Sequence, residues 1–230
     1  KRGIAVLLPD KRGCEGSGGD WKTSSFQDLA TDTVAAVSFL AESDAIPVST
    51  VGIIGLSQGG HIAPLVASQS AETAFVVNIV GSVVPLRESL VFEETHNLRQ
   101  MGLLPGISDL VARFSSAYLV NVSQAEFWQT IDGYDPLDYW RRLVVPALVL
   151  YGGDDTNVDS ETNAAMLRSL QKPNIEVVVM PGSGHALSTP IGEGNDIIRE
   201  GAIERIAGLI LSVAESRSSD AQVGKVKRDQ

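Results

Sequence analysis

The chain has 230 residues, 43% hydrophobic and 20% charged, a length and balance that fit one large globular domain or a domain carrying an inserted subdomain. At this size roughly three quarters of the unfolded surface is buried on folding, so neither disulfide nor metal is required for a core. A net charge of −10 argues against nucleic acid and anionic membrane surfaces as partners, and the single cysteine, Cys14, excludes an internal disulfide and a multi-cysteine zinc site.

In chain order, Gly3–Leu8 reads as a buried strand that begins almost at the first residue. No signal peptide is visible, and the true N-terminus is expected upstream of Lys1, which leaves a cytoplasmic or a secreted location open. A helix is expected over about residues 25–43, where Phe26, Leu29, Ala30, Thr33, Val37, Leu40 and Ala41 recur at three-and-four spacing. Ser24 with Gln27 forms its expected capping box. Further strands are expected at Val51–Gly55, Phe75–Val80, Ala147–Tyr151 and Ile175–Met180, apolar almost throughout, as strands covered on both faces should be. Helices are expected near Gly60–Ser68, Glu161–Leu170 and Asp196–Ala214. The alternation of strand and helix predicts an α/β fold with a mostly parallel sheet flanked by helices.

Residues 85–143 break that rhythm with helical patterns. These include Leu110, Val111, Phe114 and Tyr118 behind Ser108, and a capping box Ser123–Glu126. The segment is expected to be an inserted helical lid between two parts of the core, 1–84 and 144–215. Of its aromatics, Phe92, Phe114, Tyr118, Phe127, Trp128, Tyr134, Tyr139 and Trp140, most should hold the lid together and some could line a pocket. Residues 216–230 are polar and are expected to form a disordered tail. No run of about eighteen apolar residues predicts a transmembrane helix.

The chemistry centres on Gly55-Leu56-Ser57-Gln58-Gly59, a Gly-x-Ser-x-Gly stretch between a strand-like and a helix-like run. The motif is weak alone, and its context supplies the weight. A sharp strand-to-helix turn strains the middle residue, exposes the Ser57 hydroxyl, and sets the Gln58 backbone N–H at a helix N-terminus where it can stabilise an oxyanion. A serine nucleophile needs a base. His61 lies one turn along the same helix, beside the serine rather than above it, and His96 falls on what reads as a solvated lid face. His185, in a Gly-rich loop after the last long strand, is the best candidate, because such loops carry function in open α/β sheets. Asp154, Asp155 and Asp159 compete to orient that base, while two of the three should only shape a loop and cap a helix. No phosphate-loop pattern accompanies the glycines, and neither cofactor nor metal is expected.

These motifs together resemble the α/β-hydrolase superfamily, in particular bacterial esterases and serine-aminopeptidase-like hydrolases. The order Ser57, aspartate, His185 is similar to the superfamily's, and Gly152-Gly153-Asp154-Asp155-Thr156-Asn157-Val158 resembles its Gly-x-x-Asp-x-x-Val pattern. That likeness implies Asp155 as the acid and Asp154 as runner-up. Pro9–Trp21 resembles the Asp-x-Arg-Gly-x-Gly-x-Ser loop that follows the family's fourth strand. Three further strands precede that loop in the family, and the loop after its third strand donates a second oxyanion N–H. The resemblance therefore implies an N-terminally truncated piece in which Gly3–Leu8 lacks its neighbour beside Val51–Gly55. The implied activity is cleavage of a carboxylic ester through an acyl-enzyme. The alternatives are an aminopeptidase- or dipeptidyl-peptidase-like amide hydrolase, with Glu93 or Glu94 meeting a free amine, or an impaired fragment that only binds. A dehalogenase is disfavoured, since its elbow would carry aspartate. Expected partners are a small ester or short peptide, with oligomeric state left open.

Overall fold

The computed structural model describes residues 2–44, 46, 48–190, 196–198 and 200–226. After a loop folded over residues 9–20 and a short 3-10 turn (Trp21–Thr23), the chain enters helix α1 (Phe26–Ala41). It then runs through strand β1 (Val51–Leu56), helix α2 (Gln58–Ala67) and strand β2 (Thr73–Ile79). Four helices follow: α3 (Leu86–Gln100), α4 (Ile107–Tyr118), α5 (Ala125–Ile131) and α6 (Pro136–Arg142). The chain returns to the sheet with β3 (Ala147–Gly152), α7 (Ser160–Ser169) and β4 (Ile175–Met180). The short antiparallel pair β5 (Ser188–Pro190) and β6 (Asp196–Ile198) precedes the last helix, α8 (Glu200–Val226).

β1 to β4 form a parallel sheet in sequence order. The side chains of β3 alternate: Ala147, Val149 and Tyr151 join the core under α1, α2 and α7, while Leu148 and Leu150 join the core under α8. Both faces are thus covered, so β3 is buried along its whole length and needs no polar face. Polar side chains lock the ends of these strands. Buried Asn78 holds the turn after β2 by donating to the Gly81 carbonyl at 2.9 Å and accepting from the Gly81 N–H at 2.7 Å. Asn163 of α7 accepts from the Val83 and Val84 N–H groups and the Ser82 hydroxyl, which ties α7 to the exit of β2.

Several expectations need correction. Gly3–Leu8 forms no strand: it pairs with no other described segment, and Val6 and Leu8 are 69% and 86% exposed. An apolar sequence makes a strand only where a neighbour accepts its hydrogen bonds, and β1 lies at the sheet edge without taking this one. The α1 cap is Ser25 with Asp28 rather than Ser24 with Gln27: the Asp28 N–H donates to Ser25 Oγ at 3.1 Å and the Ser25 N–H to Asp28 Oδ2 at 2.8 Å. Ser24 instead donates to the Asp20 carbonyl at 2.6 Å. The expected Ser123–Glu126 box is replaced by a π-turn over Leu119–Ser123, and the N-cap of α5 is Gln124, which makes no side-chain capping bond.

α4 is inverted relative to its pattern. Leu110, Phe114 and Tyr118 are exposed, while Ser108, Ala112 and Ser116, spaced four apart, are buried. Small side chains allow close helix approach, and α3 and α4 meet on that side through Arg99 donating to Ser108 Oγ at 3.2 Å and Ser115 to Glu94 at 3.3 Å. The polar stretch after Ala214 is not a disordered tail as far as Val226, because α8 continues through it. Propensity explains this: the run lacks proline, and a helix once nucleated by a packed segment extends one hydrogen bond per residue. The expected start of that helix, Asp196, falls in β6 instead; residues 227–230 lie outside the described residues.

Candidate active site

β1 feeds directly into Ser57, which caps α2 at φ 50° and ψ −111°, a conformation that costs a non-glycine residue on the order of 1–3 kcal/mol. Gly55 makes the turn sterically feasible, since a Cβ there would lie 2.2 Å from the Gly59 carbonyl oxygen. Its strand partner is Asn78, so the elbow rests on the same locked turn that ends β2. The Ser57 N–H donates to the Ile79 carbonyl at 2.8 Å, which further fixes the bend. Gln58 opens α2, so its N–H has no acceptor within the helix and stands beside Ser57. Its side-chain oxygen accepts from Lys11 Nζ at 2.6 Å.

The structure brings Ser57, His185 and Asp155 together in one hydrogen-bonded line. Asp155 Oδ2 is 2.9 Å from His185 Nδ1, and His185 Nε2 is 3.0 Å from Ser57 Oγ. An ionised carboxylate only accepts, so Nδ1 carries the proton and Nε2 accepts from the serine hydroxyl. The Asp155 side chain is fully buried, and its Oδ1 accepts from the Asn157 and Val158 N–H groups at 2.8 and 3.0 Å. Burial alone would disfavour this charge, and three donors offset that cost. The competing acids sit elsewhere. Asp154 is exposed, and Asp159 accepts from the Thr162 N–H at 3.1 Å as the cap of α7.

Gly152 allows the Asp155 and His185 loops to meet: a Cβ there would lie 2.3 Å from the Gly184 carbonyl and 2.4 Å from that of Ser183. Gly152→Ala is therefore expected to push His185 out of line. A displacement of about 1 Å lowers kcat/KM by about 10²-fold, measurable on any turned-over substrate with the fold checked by circular dichroism.

Neither other histidine joins the line. His96 lies on α3, its Nδ1 3.0 Å from the Phe92 carbonyl. His61 lines the cavity beside Ser57 with its Nδ1 buried and unbonded, and burial, reinforced by His185, lowers its pKa to about 4. An unfolded histidine takes up a proton near pH 6.5, whereas folded His61 does so only near 4. Below pH 6.5 the unfolded state therefore binds more protons, and stability falls as pH drops through that window. Unfolding free energies from urea titrations at pH 7 and pH 5 should differ by on the order of 1–2 kcal/mol from this group, a difference that His61→Asn removes.

A cavity of about 270 Å³ opens over Ser57 and His185. Its apolar wall comes from Phe26, Leu86, Leu90, Phe127, Trp128 and Ile131, so the 86–142 helices contribute most of it. Of the expected pocket aromatics, only Phe127 and Trp128 line it. Trp140 is fully buried, Tyr134 stacks on Tyr139 with centroids 5.4 Å apart, and Phe92 packs on His96. Among the described residues the cavity also holds one carboxylate, Glu93, which accepts from Asn157 Nδ2 at 2.9 Å. Glu94 faces α4 instead. Sequence reading did not single out Asn157 or Asn163, because an asparagine in a loop or an exposed-looking helix turn has many ordinary uses.

A parallel sheet wrapped by helices, a strained serine between strand and helix, and an acid and a histidine on later strand-end loops define an α/β-hydrolase. The comparisons agree and narrow the class. The chain belongs to the BAAT / acyl-CoA thioester hydrolase C-terminal family, whose model matches residues 34–192. It is 22% identical over 215 residues to Esterase EstD of Thermotoga maritima, which covers 89% of this chain and 51% of that protein. It is 27% identical over 194 residues to the human acylamino-acid-releasing enzyme, covering 82% of this chain and 25% of that one. The chain thus spans about half and a quarter of the lengths of these relatives. Among solved structures, the Pyrococcus furiosus esterase Pf2001 superposes with a TM-score of 0.61 at 19% identity, over 89% of this chain and 68% of that one. Among the described residues no helix is long and apolar enough to cross a membrane.

Proposed function

We propose that the chain is a serine hydrolase that cleaves carboxylic esters through an acyl-enzyme, with Ser57 as nucleophile, His185 as general base and Asp155 as its orienting acid. The observation that carries the reading is the 3.0 Å approach of Ser57 Oγ to His185 Nε2, with Asp155 2.9 Å behind Nδ1. Ser57 Oγ attacks the carbonyl carbon as its proton passes to His185 Nε2, and the oxyanion that forms is met by the Gln58 N–H. His185 then protonates the leaving alkoxide as the tetrahedral intermediate collapses to the acyl-enzyme. Water repeats the sequence, giving its proton to His185, and frees the acid and Ser57. Asp155 stays ionised and holds the imidazolium.

The apolar wall favours an acyl group with a small apolar chain, and the 86–142 helices serve as the lid over it. A net charge of −10 disfavours a polyanionic leaving group such as coenzyme A, so oxygen esters are preferred over such thioesters. Amide cleavage is the second reading, favoured by Glu93 in the cavity and by the similarity to an acylamino-acid-releasing enzyme. Comparing p-nitrophenyl acyl esters with aminoacyl and dipeptidyl anilides separates the two. Turnover of anilides at rates rivalling the esters would replace the ester reading by the amide one.

A further inference from the structure

The cavity combines an apolar wall with several neutral polar groups and, among the described residues, one carboxylate. Glu93 projects from α3 into the space that Ser57 and His185 line, and it is half-buried there. It accepts from the side-chain amide of Asn157, and no Lys or Arg forms an ion pair with it among the described residues. Burial pushes its pKa up, with His185 and the Asn157 bond opposing. A half-buried carboxylate whose side-chain partner is a single neutral donor is under-compensated, and a structural role would be served as well by glutamine. Asn157 also donates its N–H to Asp155 Oδ1, so Glu93 is held at a set place relative to the hydrogen-bonded line.

We propose that Glu93 is a specificity-determining residue that binds a cationic ammonium group on the acyl part of the substrate. The proposal rests on Ser57 being the nucleophile and adds the substrate class. An ammonium group in the cavity supplies the charge that the carboxylate lacks and forms a charge-assisted hydrogen bond, while the alkyl part of the same acyl group lies on the Phe26, Leu90 and Trp128 wall. Acyl groups bearing a carboxylate are excluded by the same charge.

The test uses a matched pair, leucine methyl ester and methyl 4-methylpentanoate, which differ by the amine alone, followed by pH-stat at a pH where the amine is protonated. The readout is the kcat/KM ratio of the pair in the wild type divided by that ratio in Glu93→Gln, which cancels the different intrinsic reactivities of the two esters. Glutamine can still accept from Asn157, so the variant removes charge and keeps shape. The ratio is expected to fall by about 10- to 100-fold, the scale of one hydrogen bond to a charged group. An unchanged ratio, or an equal loss on both esters, overturns the proposal, the latter by assigning Glu93 a purely positioning role through Asn157. If the wild type turns over neither ester, the hydrolase reading fails first. Calorimetric titration of Ser57→Ala with both esters then still decides: preference for the leucine ester, erased by Glu93→Gln in the same background, supports the ammonium site. Equal affinities overturn it.

Discussion

Ser57→Ala is expected to lower ester hydrolysis by on the order of 10⁶-fold, the loss typical when the nucleophile of a serine triad is removed. Residual rate over water would come from the Gln58 N–H and from substrate binding in the cavity. Labelling by a fluorophosphonate probe should disappear together with turnover, and a folded wild-type sample that never labels would sink the assignment. The backbone at this position adds an independent readout. Ser57 holds φ 50° and ψ −111°, which glycine adopts without a Cβ penalty. Ser57→Gly is therefore expected to be inactive and yet more stable than the wild type by about 1 kcal/mol, the relieved strain outweighing the extra freedom of the unfolded chain. Equal or lower stability in urea would mean that the elbow stores no strain. Reduced activity with increased stability from one substitution is what a strained catalytic turn predicts, and an ordinary surface serine does not produce it.

Asp155→Asn is expected to cost about 10⁴-fold in kcat. The amide would sit in the same place, but its NH₂ can donate to His185 Nδ1. The imidazole then carries its proton on Nε2 and cannot accept from Ser57. The buried site also loses a charge that receives two backbone N–H bonds and one from the histidine, so the variant should unfold at lower urea as well. Kinetics and stability must be read separately here. Asp154→Asn is the control: Asp154 is exposed, and the same change there should leave kcat within about twofold of the wild type. A large kcat loss in the Asp154 variant with little in the Asp155 variant would exchange their roles.

Much of this protein is legible in its sequence. The strands that became β1 to β4 are apolar on both faces, and a chain that alternates such runs with helical patterns has few ways to bury them other than a helix-covered parallel sheet. Ser57, Gln58, His185 and the competing aspartates Asp154, Asp155 and Asp159 could be picked out as candidates because they follow strands, and strand ends in such a sheet converge on one side. The misread elements share a different cause. Gly3–Leu8 has strand composition, but a strand exists only through its neighbour's backbone. The caps of α1 and α5 moved because Ser24 and Ser123 found other uses within one or two residues. In α4, the small residues Ser108, Ala112 and Ser116 face inward, because the distance to α3 rewards close approach more than it rewards large apolar side chains.

The local sequence alone therefore determined the class of fold, the elbow serine and the order of the candidate site residues, since these depend on periodicity and on motifs a few residues long. Only the tertiary structure decided that Asp155 rather than Asp154 reaches His185, that Glu93 faces the cavity while its neighbour Glu94 faces α4, and that Gly152 lets two loops touch. Each of these depends on which way adjacent side chains point and on close approach between segments far apart in sequence, and neither is encoded in any single stretch of the chain.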